Sequence, residues 1–264
     1  MLNLLVSIDT SAEAVIALKT AAFFGKGVVI QPIYVYEPPG RDIEFGAGWA
    51  RHSWEKETYK LAQVTIEKLI LTQQKKYPTI KKPMLLKGNP VTRIADFFNK
   101  KKFDFLVASS FLKMSNTIEC IQCFQNTARK DKNSIPLLII NKINDFKKII
   151  ILTDGGETAE KAIGLLLKLP SLLYSKIILI GLARANDDSE KIQFLNLERG
   201  RAILKEKNFG AEGYIFSKLG LKGLKEKLRG EGVLVCPVLS SDGHLDLSKI
   251  ITRKNQSGIF CIEP

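Results

Sequence analysis

The chain has 264 residues, enough for one large domain or two compact ones of about 130 residues each, and two is the better starting point. Apolar residues make up 45% and charged residues 25%, a globular balance, and no apolar run reaches the roughly 18 residues that a membrane-spanning helix needs. The formal charge of +13 raises the question of a polyanionic partner, but the lysines are scattered over expected helices, and the densest runs, "KKK" (100–102) and "KGLKEKLR" (222–229), fall at a helix end and on an amphipathic helix. Few aromatics are interleaved with them, so neither a nucleic acid nor a membrane is the expected partner. The start "MLNLLVSIDTS" reads as a folded strand rather than a signal peptide, and the expected location is the cytoplasm.

Short β-branched runs alternate with helical patterns along the chain. The first pass runs "LLVSI" (4–8), a helix over about 12–24, "VVIQPIYVY" (28–36), a loop at 37–53, a long helix over about 54–76, "PMLLKG" (83–88), a helix over about 91–101, "FDFLVASS" (103–110), a helical or irregular stretch, and "PLLIIN" (136–141). The second pass repeats this order with "KIIILT" (148–153), a helix over about 157–173, "KIILIGLA" (176–183), a helix over about 189–207, "AEGYIFS" (211–217), a helix over about 221–228, "GVLVC" (232–236) and "GIFCI" (258–262). Strands that are apolar along their whole length, separated by helices, indicate parallel sheets covered on both faces.

The two passes are copies of one another. "LNLLVSIDTSAEAVIALK" and "KKIIILTDGGETAEKAIG" share a strand, an aspartate and a helix; Asp9 and Asp154 lie 154 − 9 = 145 positions apart, and eight residues beyond each comes a small-then-branched pair, Ala17-Leu18 and Ala162-Ile163. An internal duplication accounts for both, and sets the modules at 1–143 and 146–264 with the short polar stretch "NKINDFK" (141–147) between them. The 37–53 loop occurs only in the first copy; it reads as a lid, a partner surface or a packed surface excursion.

These pieces resemble the universal stress proteins, in a tandem arrangement spanning essentially the whole chain. The resemblance rests on Asp9, Ser11 and Ala17 at the start, on "GNPVTRIADFFNKKKFDFLVAS" (88–109) with its Gly-x-Pro-x-x-x-Ile pattern, on "IPLLII" (135–140), and in the second copy on "DGGETAEKAI" (154–163) and "GVLVCP" (232–237). It implies an adenine nucleotide alpha hydrolase-like α/β fold: two tandem open parallel sheets of five strands, ordered 3-2-1-4-5 and flanked by helices. In such sheets a ligand sits beyond the C-terminal strand ends, at the switch point between strands 1 and 4. It also implies that the two last strands, 136–141 and 258–262, pair within the chain as an intramolecular pseudo-dimer.

Some members of that family bind ATP through Gly-x-x-Gly, nine residues, then Gly-Ser/Thr, a cradle of backbone amides. Alignment on the flanking strands places Lys113, Asn116 and Asn126-Thr127 at those positions, so that only Thr127 survives. Lysine can still meet a phosphate and asparagine tolerates left-handed backbone, which keeps ATP or AMP as the candidate ligand of the first module, with Asp9, Ser11, Lys113, Asn116, Asn126 and Thr127 as its candidate contacts. The second module, with "PVLSSDGHLDLSKIITRKNQSG", offers no such series and is expected to hold no conventional ATP site.

Two further constellations have competing readings. Cys120-Ile-Gln-Cys123 is a CxxC, a thiol redox switch or a pair of small core residues; a structural zinc would need two more ligands, and none is near in sequence, so no metal is expected. Asp9 and Asp154 either contact a ligand hydroxyl or cap the following helix, and Asp154 reads as a cap. His52 and His244 have no serine partner with which to form a hydrolytic triad, and no catalytic residue is expected. The resulting expectation is a regulatory or interaction protein of the stress response that senses a small ligand in its first module and engages a protein partner.

Overall fold

The structure is a computed structural model that describes residues 1–25, 27–37, 49–77, 79–109, 135–140, 147–153, 157–169, 175–182, 187–216, 233–237 and 258–262. In the first half, strands β1 (Leu2–Ser7), β2 (Val28–Tyr36), β3 (Met84–Lys87), β4 (Phe105–Ser109) and β5 (Leu137–Ile140) accompany helices α1 (Ala12–Ala22), α2 (Trp49–Gln74) and α3 (Pro90–Lys101). The second half contributes β6 (Lys148–Thr153), α4 (Glu157–Leu166), β7 (Lys176–Leu182), α5 (Asp187–Glu206), β8 (Ala211–Phe216), β9 (Val233–Pro237) and β10 (Gly258–Ile262).

The strands form one ten-stranded sheet in the order β3-β2-β1-β4-β5-β10-β9-β6-β7-β8. Each half, numbered from its own first strand, has the order 3-2-1-4-5, and within each half every pairing is parallel. The halves meet at β5 and β10, which run antiparallel with Gly258 opposite Ile140 and Cys261 opposite Leu137. Position in the sheet explains the strand sequences. All four residues of central β5, LLII, are buried, whereas outermost β3 is short, half exposed and ends on Lys87, features that blunt a free edge. Within β2, Pro32 has no amide to offer, and the gap beside it is closed by Gln31, whose side-chain Nε2 donates to the carbonyls of Pro32 (3.1 Å) and Lys82 (2.8 Å).

On one face, α1, α2, α4 and α5 place Leu18, Ile66, Ile163 and Leu197 in a single apolar cluster with Leu4, Val6, Ile140 and Ile151, so the core runs unbroken from one half to the other. Ala14, Ala17 and Ala21 give α1 a flat buried side that can lie close on the sheet, the place expected for Ala17. On the opposite face, α3 contributes Ile94, Ala95 and Phe98 against Leu5, Leu106 and Ile139. The halves are also tied by Lys168, just beyond α4, whose ammonium lies 3.6 Å from Asp104. That carboxylate already accepts from the Asn3 amide (2.9 Å), while the Asp104 amide donates to the Asn3 carbonyl (2.8 Å), fixing the starts of β1 and β4 together.

The Gly-x-Pro-x-x-x-Ile pattern has a structural explanation. Gly88 has φ +135°, open in practice only to glycine, and a Cβ there would stand 2.9 Å from Arg93 Nε. Asn89 is the N-cap of α3, its side chain accepting from the Thr92 amide at 3.1 Å, and Pro90 occupies the first turn, where its missing N–H costs nothing. Ile94 is the first deeply buried residue of the helix. The helix ends on Lys100 and Lys101, with Lys102 in the left-handed conformation (φ 52°), a favourable place for cations at the negative end of the dipole.

Two boundaries differ from the sequence reading. Helix α2 begins at Trp49, not near residue 54, so the last part of the expected 37–53 loop is helical. Helix α4 closes at Leu166 rather than near 173, because Pro170 disfavours helical geometry in the residue before it and cannot donate to a helical ladder. The linker residues 141–146, the 38–48 stretch and the expected helix over 221–228 lie outside the described residues.

Candidate functional site

The order β2-β1-β4 places the C-terminal end of β1 at the point where the connections reverse direction, with the turn Ile8–Ser11 above it. Asp9 lies two residues beyond the strand, since β1 closes at Ser7 and the Ile8 amide makes the last bond to the Ile33 carbonyl at 2.9 Å.

The capping reading of Asp9 is corrected by the geometry. Ser11, extended at φ −84° and ψ 165°, is the N-cap of α1, and Asp9 lies outside the helix. Asp9 Oδ1 accepts the Ser11 amide at 2.9 Å and also the Ser11 hydroxyl, forming a tight aspartate turn. With its hydroxyl given to Asp9, Ser11 makes no side-chain bond to the amides of the first helical turn. The result is a helix start with a carboxylate beside it and no side-chain cap from its N-cap residue.

Tyr34 on β2 belongs to the same neighbourhood. Burial first, then the charge of Asp9, then Tyr36, push its pKa above the ordinary 10.0, so its phenol stays protonated as a hydrogen-bond donor. The sequence reading did not single out Tyr34, although its place near the end of the strand beside β1 was available from the strand assignment.

Of the other sequence candidates, Lys113, Asn116, Asn126 and Thr127 of the expected phosphate cradle, Cys120 and Cys123 of the CxxC, and Asp154 lie outside the described residues. The crevice is therefore described on its β1–α1 side. Cys236 and Cys261 stand opposite one another in the β9–β10 register, a proximity that sequence spacing could not show. Among the described residues no group of three or more His, Cys, Asp and Glu could hold a metal ion, and no helix is long and apolar enough to cross a membrane.

A second concavity was missed by the sequence reading. The opening turns of α2 and the ends of β2 and β3 line an open cleft of about 420 Å³ that includes His52, Glu55 and Tyr59 on the helix and Tyr36, Leu85 and Lys87 on the strands. His52, Glu55, Lys56 and Tyr59 follow the i, i+3, i+4, i+7 spacing of one helix face, a signal hidden by reading residues up to 53 as loop.

No protein-family model matches the sequence, and no curated protein does. Solved structures match along its whole length. A universal stress protein from Archaeoglobus fulgidus superposes with a TM-score of 0.63 at 14% identity, covering 98% of this chain and 97% of that one. The chain has the universal stress protein fold. A putative universal stress protein from Pseudomonas aeruginosa gives a TM-score of 0.59 at 15% identity over 99% of this chain and 93% of its own. The cytoplasmic domain of a prokaryotic cation chloride cotransporter gives 0.56 at 10% identity over 99% and 95%. At such identities the likeness is one of fold, and the universal stress protein fold has here been matched in proteins of different description, so site chemistry must carry the functional argument.

Proposed function

We propose that this protein is a tandem universal-stress-protein-type regulatory and interaction protein of the stress response, acting by binding a small ligand and a protein partner rather than by turnover. Its modules are residues 1–143 and 146–264, arranged as an intramolecular pseudo-dimer about the β5–β10 junction. The observation that supports it is the repeated 3-2-1-4-5 order joined at an antiparallel β5–β10 pair, together with the whole-length likeness to two universal stress protein structures. The ligand site of this reading is the first-module crevice at Asp9 and Ser11.

A second reading, ATP or AMP in that crevice, is favoured by one observation: Asp9 is not spent on capping α1 and stands at the switch point beside the start of that helix. Against it, Lys113 and Asn116 replace glycines where the family motif needs close backbone approach. Losing two charge-assisted hydrogen bonds of about 1.5–3 kcal/mol each weakens a micromolar site about 150-fold or more, towards or beyond the millimolar range.

The test is to denature the purified protein and look for released nucleotide by ultraviolet absorbance and mass spectrometry, then to titrate it with ATP by calorimetry. The regulatory reading expects no co-purified nucleotide, no ATP turnover, and binding no tighter than about 0.1 mM. Any weak binding should fall further with Asp9→Ala and not with Asp154→Ala. A low-micromolar affinity with two sites per chain would put the nucleotide reading first.

A further inference from the structure

Helix α2 is apolar on two sides. Ile66 and Ile70 are buried in the cluster it shares with the sheet, while Leu61, Val64 and Leu71 stand outward at 69%, 61% and 59% exposure. Single exposed leucines are ordinary, but these three share one line with Glu57, Lys68 and Lys75, at alternating steps of four and three residues, the seam spacing of paired helices. The line is about 27 Å long and ends at Lys75, whose amide still bonds the Leu71 carbonyl at 3.3 Å. Val64, Glu67, Lys68, Leu71, Thr72 and Lys75 border an open groove along it, where the side chains of a facing helix can enter.

We propose that this face of α2 is an interface between two copies of the chain, packed antiparallel about a two-fold axis beside Ile66. The charges select that arrangement. Leu61 then faces Leu71 of the second copy, Val64 faces Lys68, and Glu57 faces Lys75, so each end of the seam pairs opposite charges. A parallel pairing instead sets Glu57, Lys68 and Lys75 each against its own copy, three like-charge contacts. Among the described residues neither Glu57 nor Lys75 makes an ion pair within its own chain. On α5, the corresponding helix of the second half, the exposed Ile192, Phe194 and Leu195 are confined to one turn, and the next charges are spent inside the chain, Arg199 on Glu160 and Glu198 on Arg201. Lys68 suits the middle of the seam by laying its stem along Val64 of the second copy with its ammonium turned to water. Three large apolar side chains from each copy fall short of the roughly 1,200 Å² that stable complexes bury, so the dimer is weak, with a dissociation constant of about 10–100 μM.

The test is sedimentation of the full chain from about 5 μM to about 1 mM in about 0.15 M salt, which screens the repulsion of two +13 chains. A reversible monomer–dimer equilibrium is expected. Leu71→Asp, at an exposed position, should leave the protein monomeric throughout with its melting temperature unchanged. Glu57→Lys and Lys75→Glu should each weaken association about tenfold, and the two together should restore it, because the exchanged charges still face one another. Net charge alone would move the two single variants in opposite directions. Monomer at every concentration overturns the proposal, as does a dimer that survives Leu71→Asp, a tighter dimer with Lys75→Glu, or no recovery in the double variant. Loss of the dimer with Leu195→Asp instead would place the contact on α5 and overturn it too. Since Asp9→Ala should leave the equilibrium unchanged, this proposal and the ligand reading of the crevice stand or fall separately.

Discussion

Helices α1 and α3 both follow a strand of the first half, and they begin in opposite ways. At α3 every local choice serves the backbone: a glycine at φ +135°, an asparagine whose side chain receives the Thr92 amide, a proline that brings no donor, and then Ile94 into the core. At α1 the N-cap serine turns away from the helix and gives its hydroxyl to Asp9, leaving the first-turn amides without a side-chain cap. One start is closed and the other open. The closed one lies near the β3 edge of the sheet and the open one at the switch point, which is where an unspent helix start has a use. Motif residues that look alike in sequence thus divide into those that build the fold and those left over for function.

The largest effect that can break this contrast is expected at Gly88. A side chain at φ +135° is strained wherever its atoms go, so Gly88→Ala should cost about 2–3 kcal/mol in urea unfolding, whereas contact with the flexible Arg93 side chain adds little. A loss under about 0.5 kcal/mol would show that the turn relaxes and that the closed start is not fixed by its glycine. Next comes the cap. Asn89→Ala should destabilise by about 1 kcal/mol, and Asn89→Ser or Asn89→Asp should recover most of it, since either side chain can accept from the same amide.

Much of this contrast could be read before any coordinates. The near-continuous apolar runs of β1, β5 and β6 gave themselves away as buried parallel strands, and the copy-to-copy spacing of Asp9 and Asp154 foretold the repeated strand order. The start of α2 is hidden in sequence because "WARHS" directly follows the proline- and glycine-rich "EPPGRDIEFGAG", which reads as loop, and the cleft at His52, Glu55 and Tyr59 is hidden with it. The role of Asp9 was hidden for a different reason. Aspartate and serine two residues apart are each good N-caps, and sequence cannot tell which one holds the position; only the extended Ser11 backbone decides it.

The smallest effect sharpens the contrast most. Were Ser11 an ordinary N-cap, Ser11→Ala would cost about 1 kcal/mol, like Asn89→Ala. Its hydroxyl instead bonds a half-exposed Asp9 that also holds the Ser11 amide, and that amide bond survives the substitution. A loss of only a few tenths of a kcal/mol is therefore expected, well below that of Asn89→Ala. Asp9→Ala removes both bonds at once and should cost more than Ser11→Ala. The double variant should then be no less stable than Asp9→Ala alone, because the serine has nothing left to hold; full additivity would mean that the two residues act apart. Urea unfolding of the four proteins measures this cycle. If Ser11→Ala matched Asn89→Ala, the serine would be capping α1 in solution, the helix start would be closed, and the case for Asp9 as a free ligand contact would fail with it.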